Sequence, residues 1–283
     1  MRVVRRRTQE TDGERARNAE LIARAEALSL RQLKVTVPIY QGDSHDKPEI
    51  VGSAVLLALS GLRFLVTAGH VFDRISGAPL SAGVSPELLR VAGLPTRLRS
   101  IGTTKPQEDK IDIGIMRVEG NPWEALEPGK FLGWHELDLR VPVLAGHTYS
   151  LVGFPNSVNR DAVKGDRIRA GAYRMAGLEC GPAAYNATRT DPQTNLMIGF
   201  DKNAMWAVDG KRNAPDLYGS SGCGLWRYGR KLRDAATPPK LSAIAIEWYK
   251  KGRHKHLQLP VTRRVGDSTV INMVELHISA PAL

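Results

Sequence analysis

The chain has 283 residues, 42% of them hydrophobic and 24% charged, enough to bury one large core or two compact ones. No stretch approaches the roughly 20 apolar residues of a membrane-spanning helix, and the opening Met1-Arg2-Val3-Val4-Arg5-Arg6-Arg7 lacks the apolar core of a signal peptide. With only two cysteines, Cys180 and Cys223, a disulfide-stapled scaffold is excluded, so a cytoplasmic protein with two reduced thiols is expected.

In chain order, residues 10–30 come first, rich in Ala, Glu and Arg, with Leu21, Ile22, Ala25 and Leu28 at helical spacing. They predict an amphipathic helix, so residues 1–32 form a basic helical extension. That helix either packs on the unit that follows, or docks a regulatory partner or acts as an inhibitory segment. Short apolar or alternating runs then predict strands over 33–40, 52–59, 64–67, 112–118, 141–144, 149–154, 196–200, 241–248 and 270–278, most of them separated by Gly-, Pro- or Asp-containing turns. Residues 121–140, with Asn121-Pro122 and Glu127-Pro128-Gly129, read as a connector between a first β unit (33–120) and a second (141–283).

Three places in this all-β pattern carry chemistry. The run Phe64-Leu65-Val66-Thr67-Ala68-Gly69-His70 ends an apolar strand in a small-residue turn and a histidine. Asp112 sits among Ile111, Ile113 and Ile115, where a buried carboxylate needs donors. A histidine Nδ1–H is one such donor, and the pairing leaves Nε2 free as a base. Taken alone, His70 reads sooner as a satisfied core histidine than as a base, and Asp112 as a turn cap. In Leu217-Tyr218-Gly219-Ser220-Ser221-Gly222-Cys223-Gly224 the small residues around Ser221 let the backbone curl, so that the amides of Gly219 and Ser221 face one oxygen.

These residues resemble the motifs of chymotrypsin-like (trypsin-fold) serine proteases. Thr67-Ala68-Gly69-His70 is similar to their Thr-Ala-Ala-His, Asp112-Ile113-Gly114-Ile115 to Asp-Ile-Ala-Leu, and Gly219-Ser220-Ser221-Gly222 to Gly-Asp-Ser-Gly. Tyr149-Ser150-Leu151-Val152-Gly153-Phe154-Pro155 resembles the Gly-Tyr-Pro strand of bacterial and V8-like members, and Ala243–Trp248 the strand that walls the substrate cleft. The order His, Asp, Ser differs from that of α/β-hydrolases and subtilisins. The resemblance, over about residues 35–280, implies two six-stranded antiparallel β-barrels preceded by the helix. It implies Ser221 as nucleophile, His70 as general base and acid, Asp112 as its orienting partner, and the Gly219 and Ser221 amides as oxyanion hole. It also implies a substrate pocket at Pro215, Asp216, Ile246, Glu247 and Trp248, with a bacterial-type enzyme cleaving protein targets as a regulatory or defence effector.

Several positions depart from the family pattern. Ser220 replaces the aspartate that pairs with a new amino terminus after zymogen cleavage, and no Ile-Val-Gly-Gly start is present, so activity without trimming is expected. Cys223 and Gly224 stand where the family has Gly-Pro. Glu247 falls near the triad aspartate's usual serine neighbour, or faces solvent. Pro215 occupies the place of the trypsin specificity aspartate, with Asp216 next to it. Asp216 either meets a basic P1 side chain or caps the turn and leaves an apolar pocket.

The net charge of +11 gathers in the Arg-rich start, in Lys250–His256 and in Arg263-Arg264. No zinc-finger, RNP or helix-turn-helix pattern accompanies it, so solvated loops that steer an acidic protein substrate are expected rather than a nucleic-acid site. His254-x-His256 lacks a third metal ligand in view, and no metal or cofactor is called for. A catalytically weak trypsin-fold module that binds protein or nucleic acid is the alternative.

Overall fold

The computed structural model describes residues 29–42, 48–76, 79–84, 86–98, 110–138, 148–160, 163–164, 167–201, 205–207, 210–212, 215–228, 238–250 and 268–275. The expected strand at 141–144 and most of the expected helix at 10–30 lie outside these residues. Residues 29–35 are helical (α1), so the chain enters its first strand three residues later than the apolar run at 33–40 suggests. Gln32 and Val35, three apart and both fully buried, lie on one helical face, which is why this apolar stretch starts as a helix.

The first sheet contains β1 (Thr36–Gln41), β2 (Glu49–Leu59), β3 (Leu62–Ala68), β4 (Leu80–Val84), β5 (Glu87–Val91), β6 (Thr96–Leu98) and β7 (Ile113–Arg117). Its order is β5-β4-β1-β2-β3-β7-β6, antiparallel throughout. The two edge strands, β5 and β6, are consecutive in sequence and separated only by Ala92-Gly93-Leu94-Pro95. Five Cα steps reach roughly 18 Å, whereas the edges of a flat seven-stranded sheet lie about 29 Å apart. The sheet therefore curls on itself. Seven segments appear where six strands were expected because the strand bridging the edges is broken at Gly93 and Pro95.

The second set contains β8 (Thr148–Gly153), β9 (Val163–Lys164), β10 (Arg167–Ile168), β11 (Tyr173–Glu179), β12 (Asn195–Asp201), β13 (Met205–Ala207), β14 (Gly210–Arg212), β15 (Gly224–Arg227), β16 (Lys240–Lys250) and β17 (Ser268–Glu275). Six of them close a barrel in the order β11-β12-β17-β16-β15-β8, while β9-β10 and β13-β14 are separate hairpins. Short helices α2 (Gly69–Phe72), α3 (Asn121–Glu124) and α4 (Pro182–Thr188) fill the connections. Among the described residues no helix is long and apolar enough to cross a membrane.

The apolar interior follows this division. Tyr149, Leu151, Met175, Leu196, Leu225 and Ala243 form one cluster from the second barrel. A larger cluster fills the first sheet and draws in Val152, Trp226, Leu241, Ile244 and Ile246 from the second, so one continuous core joins the two. The connector is tied in as well. Leu132 exchanges backbone hydrogen bonds with β2 at Leu56 and Ala58, and Asp138 N–H donates to the Leu241 carbonyl.

Candidate active site

Sheet register brings His70 and Asp112 together across 42 residues of sequence. Ala68 at the end of β3 pairs with Ile113 at the start of β7, so the residues just beyond each strand end face one another. The Gly69 N–H donates to the Asp112 carbonyl at 2.7 Å. The Asp112 carboxylate then spends both oxygens on His70, accepting the ring Nδ1–H at 2.6 Å and the backbone N–H at 3.0 Å. A carboxylate only accepts, so this contact assigns a proton to Nδ1, and in the neutral ring Nε2 is then the nitrogen that carries the lone pair. The Asp112 side chain is 16% exposed and that of His70 39%, so the carboxylate lies inside and the imidazole is partly open to solvent. Asp112 adopts φ +23°, a strained conformation that costs about 1–3 kcal/mol and persists because three hydrogen bonds hold the residue.

Ser221 lies in the turn before β15. The Gly222 N–H donates to the Ala245 carbonyl at 2.6 Å and Ala245 N–H to the Cys223 carbonyl at 2.9 Å, which seats the turn on β16. Ser53 N–H on β2 donates to the Ser221 carbonyl at 2.7 Å, which seats it on the first sheet as well. A Cβ added at Gly52 would lie 2.7 Å from the Val71 side chain and 3.2 Å from the Ser221 carbonyl, so the serine and the residue after His70 flank one spot. Two glycines make this possible. Gly219 and Gly222 have φ of +90° and +89°, and a Cβ at Gly222 would overlap the Ser53 carbonyl and the Thr67 hydroxyl. Among the described residues, neither the Gly219 nor the Ser221 N–H has an acceptor, whereas the Ser220, Gly222 and Cys223 N–H groups all do.

The expected pocket residues are placed less uniformly. Pro215 is half-buried and Asp216 is exposed. One Asp216 carboxylate oxygen accepts the Tyr218 N–H at 3.2 Å, and its backbone carbonyl accepts the Ser157 hydroxyl at 3.2 Å, the turn-capping arrangement. Ile246 is buried in the apolar cluster that contains Val71, Phe72 and Ile113, the neighbours of His70 and Asp112. Glu247 and Trp248 pair through the backbone with Asn272 and Ile271 of β17, after a bulge at Ile246. Of the expected pocket residues, Ile246 thus joins the cluster that flanks the His70–Asp112 pair, as Leu241 and Ile244 of β16 also do.

Sequence reasoning missed Ser53. It is fully buried and all its polar groups are engaged, with the Gly219 carbonyl, the Phe154 N–H, the Thr67 hydroxyl and the Ser221 carbonyl. Its only signal in the sequence is one hydroxyl in the apolar run Ile50–Leu57. Cys223 is also fully buried, and burial raises its thiol pKa, which disfavours the thiolate that a cysteine nucleophile needs. Cys180 is pushed up to about 11 by burial and by Glu179. Among the described residues no three His, Cys, Asp or Glu side chains are grouped as metal ligands would be, and His254 and His256 lie outside those residues.

No protein-family profile and no curated sequence matches the chain. Solved structures do. Neuropsin, a serine protease expressed in the limbic system of mouse brain, superposes with a TM-score of 0.55 at 12% identity, over 87% of this chain and 91% of its own. A mutant of human heparin binding protein superposes with a TM-score of 0.51 at 13% identity, over 87% and 88%. The chain therefore has the two-barrel fold of the trypsin-like serine proteases, at identities that speak for the fold alone.

Proposed function

We propose that this chain is a serine endopeptidase in which Ser221, His70 and Asp112 carry out acyl transfer. The observation that carries the reading is the Asp112 carboxylate, given wholly to His70 beside a turn that leaves the Gly219 and Ser221 N–H groups without acceptors. In this mechanism Ser221 Oγ attacks a peptide carbonyl while His70 Nε2 takes its proton. The carbonyl oxygen becomes an oxyanion between the two N–H groups. His70 returns the proton to the departing amine as the C–N bond breaks, leaving Ser221 acylated. Water then attacks the acyl group, giving its proton to His70, and Ser221 leaves reprotonated. Removing one oxyanion donor or one triad member in such a site costs about 10²–10⁴ or more in rate.

Protein targets of limited number, met in the cytoplasm as part of regulation or defence, are the substrates we propose, with the +11 charge drawing acidic ones to the cleft. Residues 1–32 are the segment through which we propose that a regulatory partner docks. The engaged, exposed Asp216 favours the turn-capping alternative, so an apolar P1 residue such as Leu is the preference we assign. A peptide library read by mass spectrometry tests it. Dominant cleavage after Arg, lost in Asp216→Ala, would restore the basic alternative.

The second reading, a binding module with weak catalysis, has one observation behind it, a fold neighbour named for heparin binding rather than for cleavage. Labelling with a fluorophosphonate decides between them. A protease is labelled and its Ser221→Ala variant is not, whereas a pure binding module is not labelled at all.

A further inference from the structure

We propose that Ser53 is the positioning residue of the oxyanion site, its hydroxyl fixing the peptide that aims the Gly219 and Ser221 amides. The inference rests on the hydrolase reading above. A trans peptide holds its C=O and N–H on opposite sides, so fixing one end aims the other. Four successive peptides of the nucleophile turn are fixed in this way. The Tyr218 carbonyl accepts the Asn156 N–H at 2.8 Å, which turns the Gly219 N–H to the opposite side. The Gly219 carbonyl accepts the Ser53 hydroxyl at 2.9 Å, while the Ser220 N–H of the same peptide donates to the Leu217 carbonyl at 2.9 Å. The Ser220 carbonyl accepts the Cys223 N–H at 3.1 Å, which frees the Ser221 N–H on the other side. The Ser221 carbonyl accepts the Ser53 N–H, and the Gly222 N–H donates to Ala245.

Among these anchors the Ser53 hydroxyl is the one contributed by a side chain. The Phe154 N–H donates to the same oxygen at 3.0 Å, so the hydroxyl proton is directed at Gly219 rather than free to rotate. Ser53 is 0% exposed, which prevents water from taking over either bond. Ser220 does not share the task, because among the described residues its buried hydroxyl has no hydrogen-bond partner. Thr67, three residues before His70, donates to the Ser53 carbonyl at 2.7 Å, so one residue registers the nucleophile turn against the histidine loop. Without the hydroxyl, a buried carbonyl and a buried N–H lose their partner. The Gly219–Ser220 peptide, on a glycine at φ +90°, then turns to find another.

The test uses the full chain as wild type, Ser221→Ala, Ser53→Ala and Ser53→Cys, with an alkyl fluorophosphonate as probe and a thermal melt to establish folding. Cysteine fills the place of the hydroxyl with a somewhat larger atom that is a poor hydrogen-bonding partner, so it leaves no cavity and decides the matter should the alanine variant not fold. Expected is labelling of wild type that Ser221→Ala abolishes, and a saturating labelling rate about 10- to 100-fold lower in the Ser53 variants. Their half-saturating concentration should change by less than about threefold, since the lost contact acts only in the transition state. The pH midpoint of labelling should not move, because the His70–Asp112 pair is untouched. Folded Ser53 variants labelled at the wild-type rate, or slowed only through the half-saturating concentration, would overturn the role of Ser53 and leave the hydrolase reading intact. A wild type that is not labelled would overturn both.

Discussion

Asp112 gives one oxygen to the His70 ring and the other to the His70 backbone, and its own carbonyl to Gly69. Asp112→Asn keeps the shape but puts an NH₂ where one acceptor stood, so the ring loses the partner that fixes its tautomer. The expected result is a fall in cleavage of about 10⁴-fold with the melting temperature little changed. Gly222→Ala should fail differently. A methyl there meets the Ser53 carbonyl and Thr67 at a positive φ, so a destabilisation of at least about 2 kcal/mol is expected in a denaturant melt, together with loss of labelling. Cys223 should resist iodoacetamide at pH 8 until denaturant is added, because its thiol is fully buried and its pKa raised by that burial. His70, Asp112 and Ser221 stood out in the sequence because the proposed acyl transfer uses those side chains and the turns around them use small residues. Ser53 was not, since a serine in a strand has many uses and only the fold reveals that its hydroxyl meets the nucleophile turn.

Among the elements, the helix α1 is held by specific chemistry rather than by amphipathicity alone. The Gln32 amide donates to the Tyr228 hydroxyl at 3.0 Å and its carbonyl oxygen accepts from Ser150 at 3.2 Å, both inside the second barrel. Arg31 forks onto Glu136 at 2.6 and 2.8 Å and reaches the carbonyls of Gly129 and Phe131 on the connector. Burial works to raise the Glu136 pKa, but the Arg31 hydrogen bonds, the Gly133 N–H and nearby positive charge outweigh it and hold the carboxyl below its ordinary value. A depressed carboxyl stabilises the fold above the unfolded-state pKa, near 4.3, and that contribution is lost as pH falls through the folded value. Wild type should therefore lose part of its stability below about pH 4, and Glu136→Gln should flatten that loss in melts taken from pH 7 to 3. The strands read from the sequence were the strongly apolar ones, such as β2, β3 and β16. β5, with Glu87 and Arg90 among its five residues, and β15, opening on Gly224, gave no such signal because the sheet neighbours rather than their own pattern make them strands.

For the molecule as a whole, one apolar cluster runs across both sheets, and Arg31 and Gln32, ahead of the first sheet, bond to the connector and to the second barrel. Removing everything before Leu33 would delete Arg31 and Gln32 and leave Tyr228, Ser150 and Glu136 without those partners. Such a product is expected to melt at a lower temperature and to be no more active than the intact chain, as also follows from Ser220 in place of an acid. A trimmed protein that gains activity while the intact one has none would recast the segment as a propeptide. The two-barrel architecture was visible in the sequence through motif order. The broken edge strand at Gly93-Leu94-Pro95, the bulge at Ile246 and the turn-capped Asp216 were not, because each depends on contacts between segments far apart in the chain. The central claim is that Ser221 is an activated nucleophile. Its most direct measurement is the site of fluorophosphonate adduction on the intact protein, mapped by peptide mass spectrometry. The account predicts one adduct on Ser221, absent from Ser221→Ala and strongly reduced in His70→Ala, and equal labelling of wild type and Ser221→Ala, or an adduct elsewhere, would contradict it.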